Sequence, residues 1–175
     1  MSYSRGHPIR LVGGRLALDF VNTADWSADG EVVHEKLANA ADLRLWLTAL
    51  GLKGVRPIAD VADLIGFRVG LRRLLLGGRT LGLLNAVHGI EIADGTRRPS
   101  VVAGQPLKSI IAVSAFSILA DQRERDRRKM CPGDNCGWLF LDETKNARRR
   151  WCSMQSCGNR AKAARHYARR KDARS

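Results

Sequence analysis

Four cysteines stand close together in the last third of the chain, and their type and spacing suit them to bind a metal ion. They form two pairs, Cys131 with Cys136 and Cys152 with Cys157, and four residues separate the members of each pair. Four thiolates fill the tetrahedral coordination of zinc, and the turn-forming residues 132–135 allow a short loop to wrap the ion. The pattern therefore predicts one zinc ion held by all four cysteines, in a closed site that is structural rather than catalytic.

Three other kinds of cysteine site compete with this interpretation. Disulfides are disfavoured because the chain begins without an apolar signal segment, which predicts a reducing, cytoplasmic location. A redox dithiol usually has the spacing C-x-x-C, which the sequence lacks. An iron–sulfur cluster also takes four thiolates, and spacing alone does not exclude it.

The residues around the cysteines predict a knuckle, a hairpin and a helix, which together resemble a treble clef. Trp138 to Leu141 has the aromatic and branched residues of a strand, and Arg148 to Trp151 is the expected returning strand. The closing helix is expected over Gly158 to Lys171. Because Cys152 and Cys157 are five residues apart, they cannot share one helix face, and one of them must lie outside the regular helix.

A module of this size is expected to depend on its metal for folding. About 45 residues bury too little apolar surface to fold unaided. A structural zinc ion supplies on the order of 10 kcal/mol. We therefore expect metal removal to unfold this module and to leave the rest of the chain largely intact.

The positive charge of the chain is concentrated in the same region. The net charge is +13, and the first 120 residues have 14 Lys and Arg against 10 Asp and Glu. The remaining residues have 16 against 7. Such an asymmetry indicates a module that binds a polyanion, attached to a nearly neutral body.

The closing helix is the best candidate for the polyanion-binding surface. Ala161, Ala164 and Ala168 share one side, which is expected to pack on the hairpin near Trp138 and Phe140. Basic residues share the other sides, and phosphate contacts or entry into a major groove would use them. The predicted nucleic-acid contacts are Arg148, Arg149, Arg150, Arg160, Lys162, Arg165, Arg169 and Arg170.

The first part of the chain is predicted to be a mainly helical domain with a short hairpin, which gives an α+β protein. Helices are expected after Asn39, after Pro57 and after Pro106, and a hairpin between Ile90 and Val102. The segment RLALDFVNT could be a strand or a first helical turn. The domain boundary is placed between residues 127 and 128, so the domains are 1–127 and 128–175.

The first domain shows no catalytic pattern. Its histidines are scattered, no nucleophile is paired with a base in the sequence, and an enzyme is therefore not predicted. Asp19, Asn22 and Thr23 could line a small-molecule pocket, although a capping and turn cluster is the favoured interpretation. The domain is expected to sense a ligand or to dimerise.

Several motifs resemble those of a known pair of domains. The stretches CGWLFLD and RRRWCSM, followed by Cys157-Gly158-Asn159-Arg160, resemble the CGNR zinc finger over about residues 128–171. GGRLALDFVNT and the helices after it resemble the ABATE domain. The resemblance implies a bacterial, stress-responsive transcription regulator that binds DNA through the finger, with all four cysteines as zinc ligands.

Residues and resemblance together predict a DNA-binding regulator. The alternatives are an adaptor whose finger binds an acidic protein and an RNA-binding protein. A homodimer and a small-molecule effector are possible partners of the first domain. No apolar run reaches the roughly 18 residues needed to span a bilayer, so a cytoplasmic protein is expected.

Overall fold

The protein has an α+β fold, as its sequence predicts. The computed structural model describes residues 10–52, 60–78 and 106–173. The helices in these ranges are α1 (Leu16–Val21), α2 (Ala40–Ala49), α3 (Val61–Leu75), α4 (Leu107–Ala120), α5 (Gln122–Arg127) and α6 (Asn159–Asp172). The strands are β1 (Ala24–Trp26), β2 (Val32–Glu35), β3 (Arg128–Met130) and β4 (Leu139–Leu141). No helix in the described part of the chain is long and apolar enough to cross a membrane.

Helix α1 lies at the centre of the fold, in contact with α3, α4 and β4. The segment RLALDFVNT is thus helical, which decides between the two structures that its pattern allowed. The backbone N–H of Gly13 donates to the Asp19 carboxylate at 2.7 Å and ties the entry loop to the helix. A Cβ at Gly13 would lie 2.7 Å from that of Leu18, so only glycine fits there. The loop is thereby held against α1.

Helices α2 and α3 begin at acceptor side chains, as local sequence rules predict. The Asn39 side chain accepts from the N–H groups of Ala41 and Asp42, so Asn39 caps α2 as predicted. Asp60 caps α3, and Pro57 lies outside the described residues. Gly77, with φ +94°, ends α3 in the left-handed conformation that favours glycine.

Strands β1 and β2 form an antiparallel hairpin that the sequence analysis missed. Asp25 pairs with His34, and the register shifts between Asp25 and Trp26. The hairpin predicted between Ile90 and Val102 lies outside the described residues.

Strand β4 pairs with β3, and the predicted returning strand at Arg148 to Trp151 is wrong. The other edge of β4 is already occupied by the first domain. The N–H of Leu141 donates to the Gly13 carbonyl at 2.8 Å. The Asn22 amide exchanges two hydrogen bonds with the backbone of Leu139, at 2.8 and 2.9 Å, as a neighbouring strand would. No edge is left for a further strand.

Two apolar cores meet at β4. Leu139 and Leu141 pack with α1, α3 and α4 in the larger core. Phe140, on the opposite face of the strand, packs in the smaller core with Ala24, Trp26 and the four cysteines. Because strand side chains alternate between faces, this three-residue strand joins the two cores. The finger and the first domain therefore share their hydrophobic interior.

Candidate metal centre

The first cysteine pair lies in the turn between β3 and β4. The N–H of Cys131 donates to the Trp138 carbonyl at 2.8 Å, and that of Cys136 to the Gly133 carbonyl at 3.1 Å. Asn135 and Gly137 have φ of 47° and 54°, the left-handed conformation that closes such a turn. These bonds bring both sulfurs to the same side of the loop.

The second pair brackets the start of the closing helix. Cys152 precedes a π-helical turn, Met154–Gly158, and Cys157 lies within it. The wider turn closes through the N–H of Gly158, which donates to the Ser153 carbonyl at 3.1 Å. Cys152 thus lies outside the helix, as its spacing from Cys157 requires. The helix α6 continues directly from this turn.

The four sulfurs form a cage suited to one zinc ion. All four cysteines are buried, and their sulfur atoms lie within 4.8 Å of one another. The Cys136–Cys152 and Cys152–Cys157 sulfur pairs are each 3.6 Å apart. Four sulfurs at about 2.3 Å from a central ion would be about 3.8 Å apart, whereas a disulfide needs about 2.05 Å. The sulfurs are therefore spaced for coordination, and none is bonded to another.

The donor chemistry also fits a divalent metal. Hydrogen bonds from Cys136 and Cys152 lower the pKa of the Cys131 thiol to about 7. Hydrogen bonds from the other three cysteines and from Arg160 hold the pKa of Cys157 far below its usual range. The same crowding raises the pKa of Cys136 and Cys152. A metal that replaces the remaining protons relieves this competition, because zinc takes cysteine as thiolate.

Arg149 holds the polypeptide around the cage. Its guanidinium lies over the Phe140 ring, 4.3 Å from the centroid. It donates to the carbonyls of Val12, at 2.9 Å, and Cys152, at 2.5 Å. Because the side chain is directed inward, we leave Arg149 out of the proposed nucleic-acid surface.

Arg160 turns back toward the cage from the first turn of α6. Its Nη2 lies 3.0 Å from the sulfur of Cys157, within hydrogen-bond distance. Such bonds to metal-bound sulfur orient the ligand and stabilise its charge. Arg160 thus contacts the metal centre, a role that the sequence analysis did not assign to it.

Asp142 organises the loop between β4 and the second cysteine pair. Its carboxylate is fully buried and accepts from Lys129 Nζ at 2.6 Å and from the N–H of Arg149 at 2.8 Å. Burial opposes its ionisation, but Lys129, Thr144 and the backbone donors together hold the pKa of Asp142 far below its usual range. The charged carboxylate therefore stabilises the folded loop.

The first domain contributes directly to the metal centre. The N–H of Trp26 donates to the Cys136 carbonyl at 3.2 Å. The indole N–H of Trp138 contacts the Ala24 carbonyl and the Asp25 carboxylate, at 3.0 and 2.8 Å. A Cβ at Gly137 would lie 2.7 Å from that of Trp26, so the two segments approach at van der Waals distance.

The three residues suggested for a ligand pocket have internal partners. Asp19 accepts from Gly13, and Asn22 binds the backbone of β4. The Thr23 hydroxyl donates to the Phe20 carbonyl at 2.6 Å. These side chains are buried, so we give them a structural role and do not include a ligand-binding role in our proposal.

Helix α6 extends from the cage into solvent. No residue of α6 is buried, so the predicted packing of Ala161, Ala164 and Ala168 on the hairpin is wrong. The aromatic residues that they were expected to cover are already covered, Trp138 by β1 and Phe140 by Arg149. The cationic side chains of α6 are therefore presented to solvent on a helix that has no packed face.

Sequence reasoning missed the residues that join the domains. Asn22, Trp26 and Arg72 lie far from the cysteines in sequence and contact the finger only in the fold. Of these three residues, only Trp26 could have been suspected from the sequence, since a large aromatic residue beside a polar turn usually packs against a distant partner. Nothing in the spacing of Asn22 or Arg72 indicates the contact.

Two family models match the chain, in the order that the structure shows. Residues 14–122 match ABATE, described as "Putative stress-induced transcription regulator". Residues 127–170 match zf-CGNR, the CGNR zinc finger. No curated protein matches the chain. The two descriptions name a regulator and a zinc finger, neither of them an enzyme. The first match covers more than half of the chain and the second contains all four clustered cysteines, so the chain belongs to the ABATE family and ends in a CGNR zinc finger that holds one structural zinc ion.

Proposed function

We propose that the protein is a transcription regulator that binds duplex DNA through α6. The main support is the chemistry of this helix, which has no buried residue and is rich in cations. Lys162, Arg165 and Arg169 recur at spacings of three and four residues and so share one face. No face of α6 packs on its own domain, and a phosphate backbone is a natural partner for its exposed cations.

The geometry of the finger suits this role. The zinc cage fixes the first turn of α6 through Cys157, while the remaining turns extend into solvent. A helix of 14 residues is about 21 Å long, enough to follow a major groove over several base pairs. Arg148 and Arg150 are exposed on the loop before the second cysteine pair and would add phosphate contacts. Arg170 adds a further cation to α6.

The family description supports a role in transcription regulation. Binding of duplex DNA is the more specific part of our proposal. Dimerisation of the first domain, an effector for it, and a response to stress remain predictions. RNA or an acidic protein would be attracted by the same charges. A-form RNA has a major groove too deep and narrow for side chains to read, which favours DNA as the partner of an exposed helix.

The test is binding of the zinc-loaded full chain to a random-sequence duplex at several salt concentrations, followed by fluorescence anisotropy. We expect a Kd of about 10⁻⁴ to 10⁻⁶ M near physiological salt, weakening steeply as salt rises. Reversing the charge of Lys162, Arg165 and Arg169 to Glu should abolish binding near physiological salt. At low salt, where residual binding can be measured, the slope of log K against log salt should fall by about 3, close to one unit for each phosphate that is no longer neutralised.

A matched control separates a specific surface from net charge. Arg44, Arg73 and Arg123 are exposed on α2, α3 and α5, outside the residues that match the finger. Changing these three to Glu alters the net charge by the same amount and should leave most of the affinity. Equal loss from both triple variants, or no duplex affinity at low salt, would refute the proposal that α6 binds DNA.

A further inference from the structure

Arg72 of α3 is buried against the loop that carries the first two zinc ligands. Its side chain is 3% exposed and lies over Trp26, with the guanidinium carbon 4.4 Å from the ring centroid. Nη1 donates to the carbonyl of Gly137 at 2.8 Å, and Nη2 contacts the sulfur of Met130 at 3.6 Å. Gly137 follows Cys136 and Met130 precedes Cys131, so one guanidinium contacts both ends of the zinc loop.

No carboxylate balances this charge in the described ranges of the chain. Arg68, one turn earlier on the same helix and also buried, forms an ion pair with Glu35. A buried charge without an opposite charge is costly, and burial lowers the pKa of Arg72 to about 10. An electrostatic interaction with Cys136 opposes this effect and raises the pKa of Arg72.

The charge that matches Arg72 is that of the zinc centre. Four thiolates around Zn²⁺ leave a net charge of minus two, and all four cysteines are buried. A buried dianion needs positive charge or hydrogen-bond donors close to it. Arg160 supplies one donor at Cys157 from within the finger. Arg72 contacts the loop that carries the other pair of ligands, Cys131 and Cys136.

We propose that Arg72 is a positioning residue of the zinc centre, which clamps the loop Met130–Gly137 and supplies a buried positive charge to the tetrathiolate. The zinc site is thus completed by the first domain, from a residue far outside the finger. The finger without that domain lacks both the clamp and the charge. This inference concerns the metal centre and is independent of whether α6 binds DNA.

Substitutions in the full chain test the charge and the clamp separately. Glutamine in Arg72→Gln is neutral but keeps an N–H donor for the Gly137 carbonyl. Lysine in Arg72→Lys keeps the positive charge but lacks the two terminal nitrogens that contact Gly137 and Met130. Zinc affinity is measured by competition with a chromogenic chelator, on variants whose circular dichroism matches the native chain. Arg72→Gln should weaken zinc binding about 10-fold, the lower end of the effect of losing a direct partner of a metal ligand, because Arg72 contacts the zinc loop and not a ligand sulfur. Arg72→Lys should recover most of that loss.

The matched control is Arg68→Gln. It removes another buried arginine of α3 that also contacts Trp26. Because Glu35 balances Arg68, this variant should be less stable yet bind zinc within about 3-fold of the native affinity. Cobalt substitution provides a second measurement that a purely structural role would not change. Loss of positive charge near the sulfurs should move the sulfur-to-cobalt absorption to longer wavelength in Arg72→Gln but not in Arg72→Lys or Arg68→Gln.

Two results would overturn the proposal. One is native zinc affinity and an unshifted cobalt spectrum in Arg72→Gln. The other is an equal loss of zinc affinity in Arg68→Gln and Arg72→Gln, which would mean that any damage to α3 weakens the site. Should Arg72→Gln not fold, the spectrum and affinity of Arg72→Lys decide, since the proposal requires both to stay close to native.

Discussion

Removal of zinc should destabilise the first domain together with the finger. Sequence composition alone suggested the opposite, that the finger would unfold and leave its neighbour intact. The structure leads us to expect that both are destabilised, because β4, which follows the zinc loop directly, lies between the two cores. Without metal the knuckle loses on the order of 10 kcal/mol that such a site contributes to its folding. Strand β4 then loses the turn that pairs it with β3.

The size of the effect follows from what β4 buries. Leu139 and Leu141 are 1% and 3% exposed, and each contributes about 1.5–3 kcal/mol by burial. The two hydrogen bonds between Asn22 and Leu139 add about 0.5–1.5 kcal/mol each. The first domain would thus lose on the order of 4–9 kcal/mol, against a total stability of about 5–15 kcal/mol for a typical domain.

Hydrogen exchange is the direct assay for this loss. Backbone amides of α1 and α3 are followed in the zinc-loaded chain, after chelation, and after zinc is restored. We expect chelation to speed exchange in both helices by several orders of magnitude, and thermal unfolding to show one shared transition in the loaded chain. Restored protection on adding zinc is the control for irreversible damage. If α1 and α3 keep their protection after complete metal removal, the shared-core reasoning fails.

Three further substitutions test the local geometry. A Cβ at Gly133 would lie 2.9 Å from the Cys157 sulfur, so Gly133→Ala should weaken zinc binding, measured by chelator competition. By contrast Gly66→Ala, in open space on α3, should stabilise the fold by about 0.5–1 kcal/mol in denaturant unfolding. Asp142→Asn should lower the denaturant midpoint, at a cost below the ~3–5 kcal/mol of a fully buried pair because Lys129 is 31% exposed. Since the Asp142 pKa is lowered on folding, its contribution is present above about pH 4 and fades as pH falls, so the native chain and variant should converge in acid.

The features that sequence could predict are those set by neighbours along the chain. The four ligands follow from spacing and turn residues, and the cage confirms them. The cap at Asn39 and the glycine that ends α3 follow from local backbone chemistry. The helical repeat also predicts that Cys152 and Cys157 cannot both lie in one regular helix. It does not predict the π-helical turn that separates Cys152 from α6.

The features that sequence could not predict depend on contacts across the fold. Arg149 and Arg148 are adjacent and chemically identical, yet only Arg149 turns inward onto Phe140. The partner of β4 was predicted to follow it in the chain, whereas the observed partner, Arg128–Met130, precedes it. The charged residues 121–129 resemble a solvated linker in sequence. They nevertheless include most of β3, whose backbone pairs with β4. The types of side chain on a strand do not indicate which of its two backbone edges pairs with another strand.

The exposure of α6 bears on how the helix is oriented. A helix packed on its own hairpin would be oriented by that packing, but α6 has no buried residue. Its direction is therefore set at its first turn, by Cys157 in the zinc cage and by Arg160 on the Cys157 sulfur. The cage in turn rests on Trp26 of the first domain and on β4, which Asn22 holds. The first turn of α6 is therefore linked to the first domain through the zinc cage.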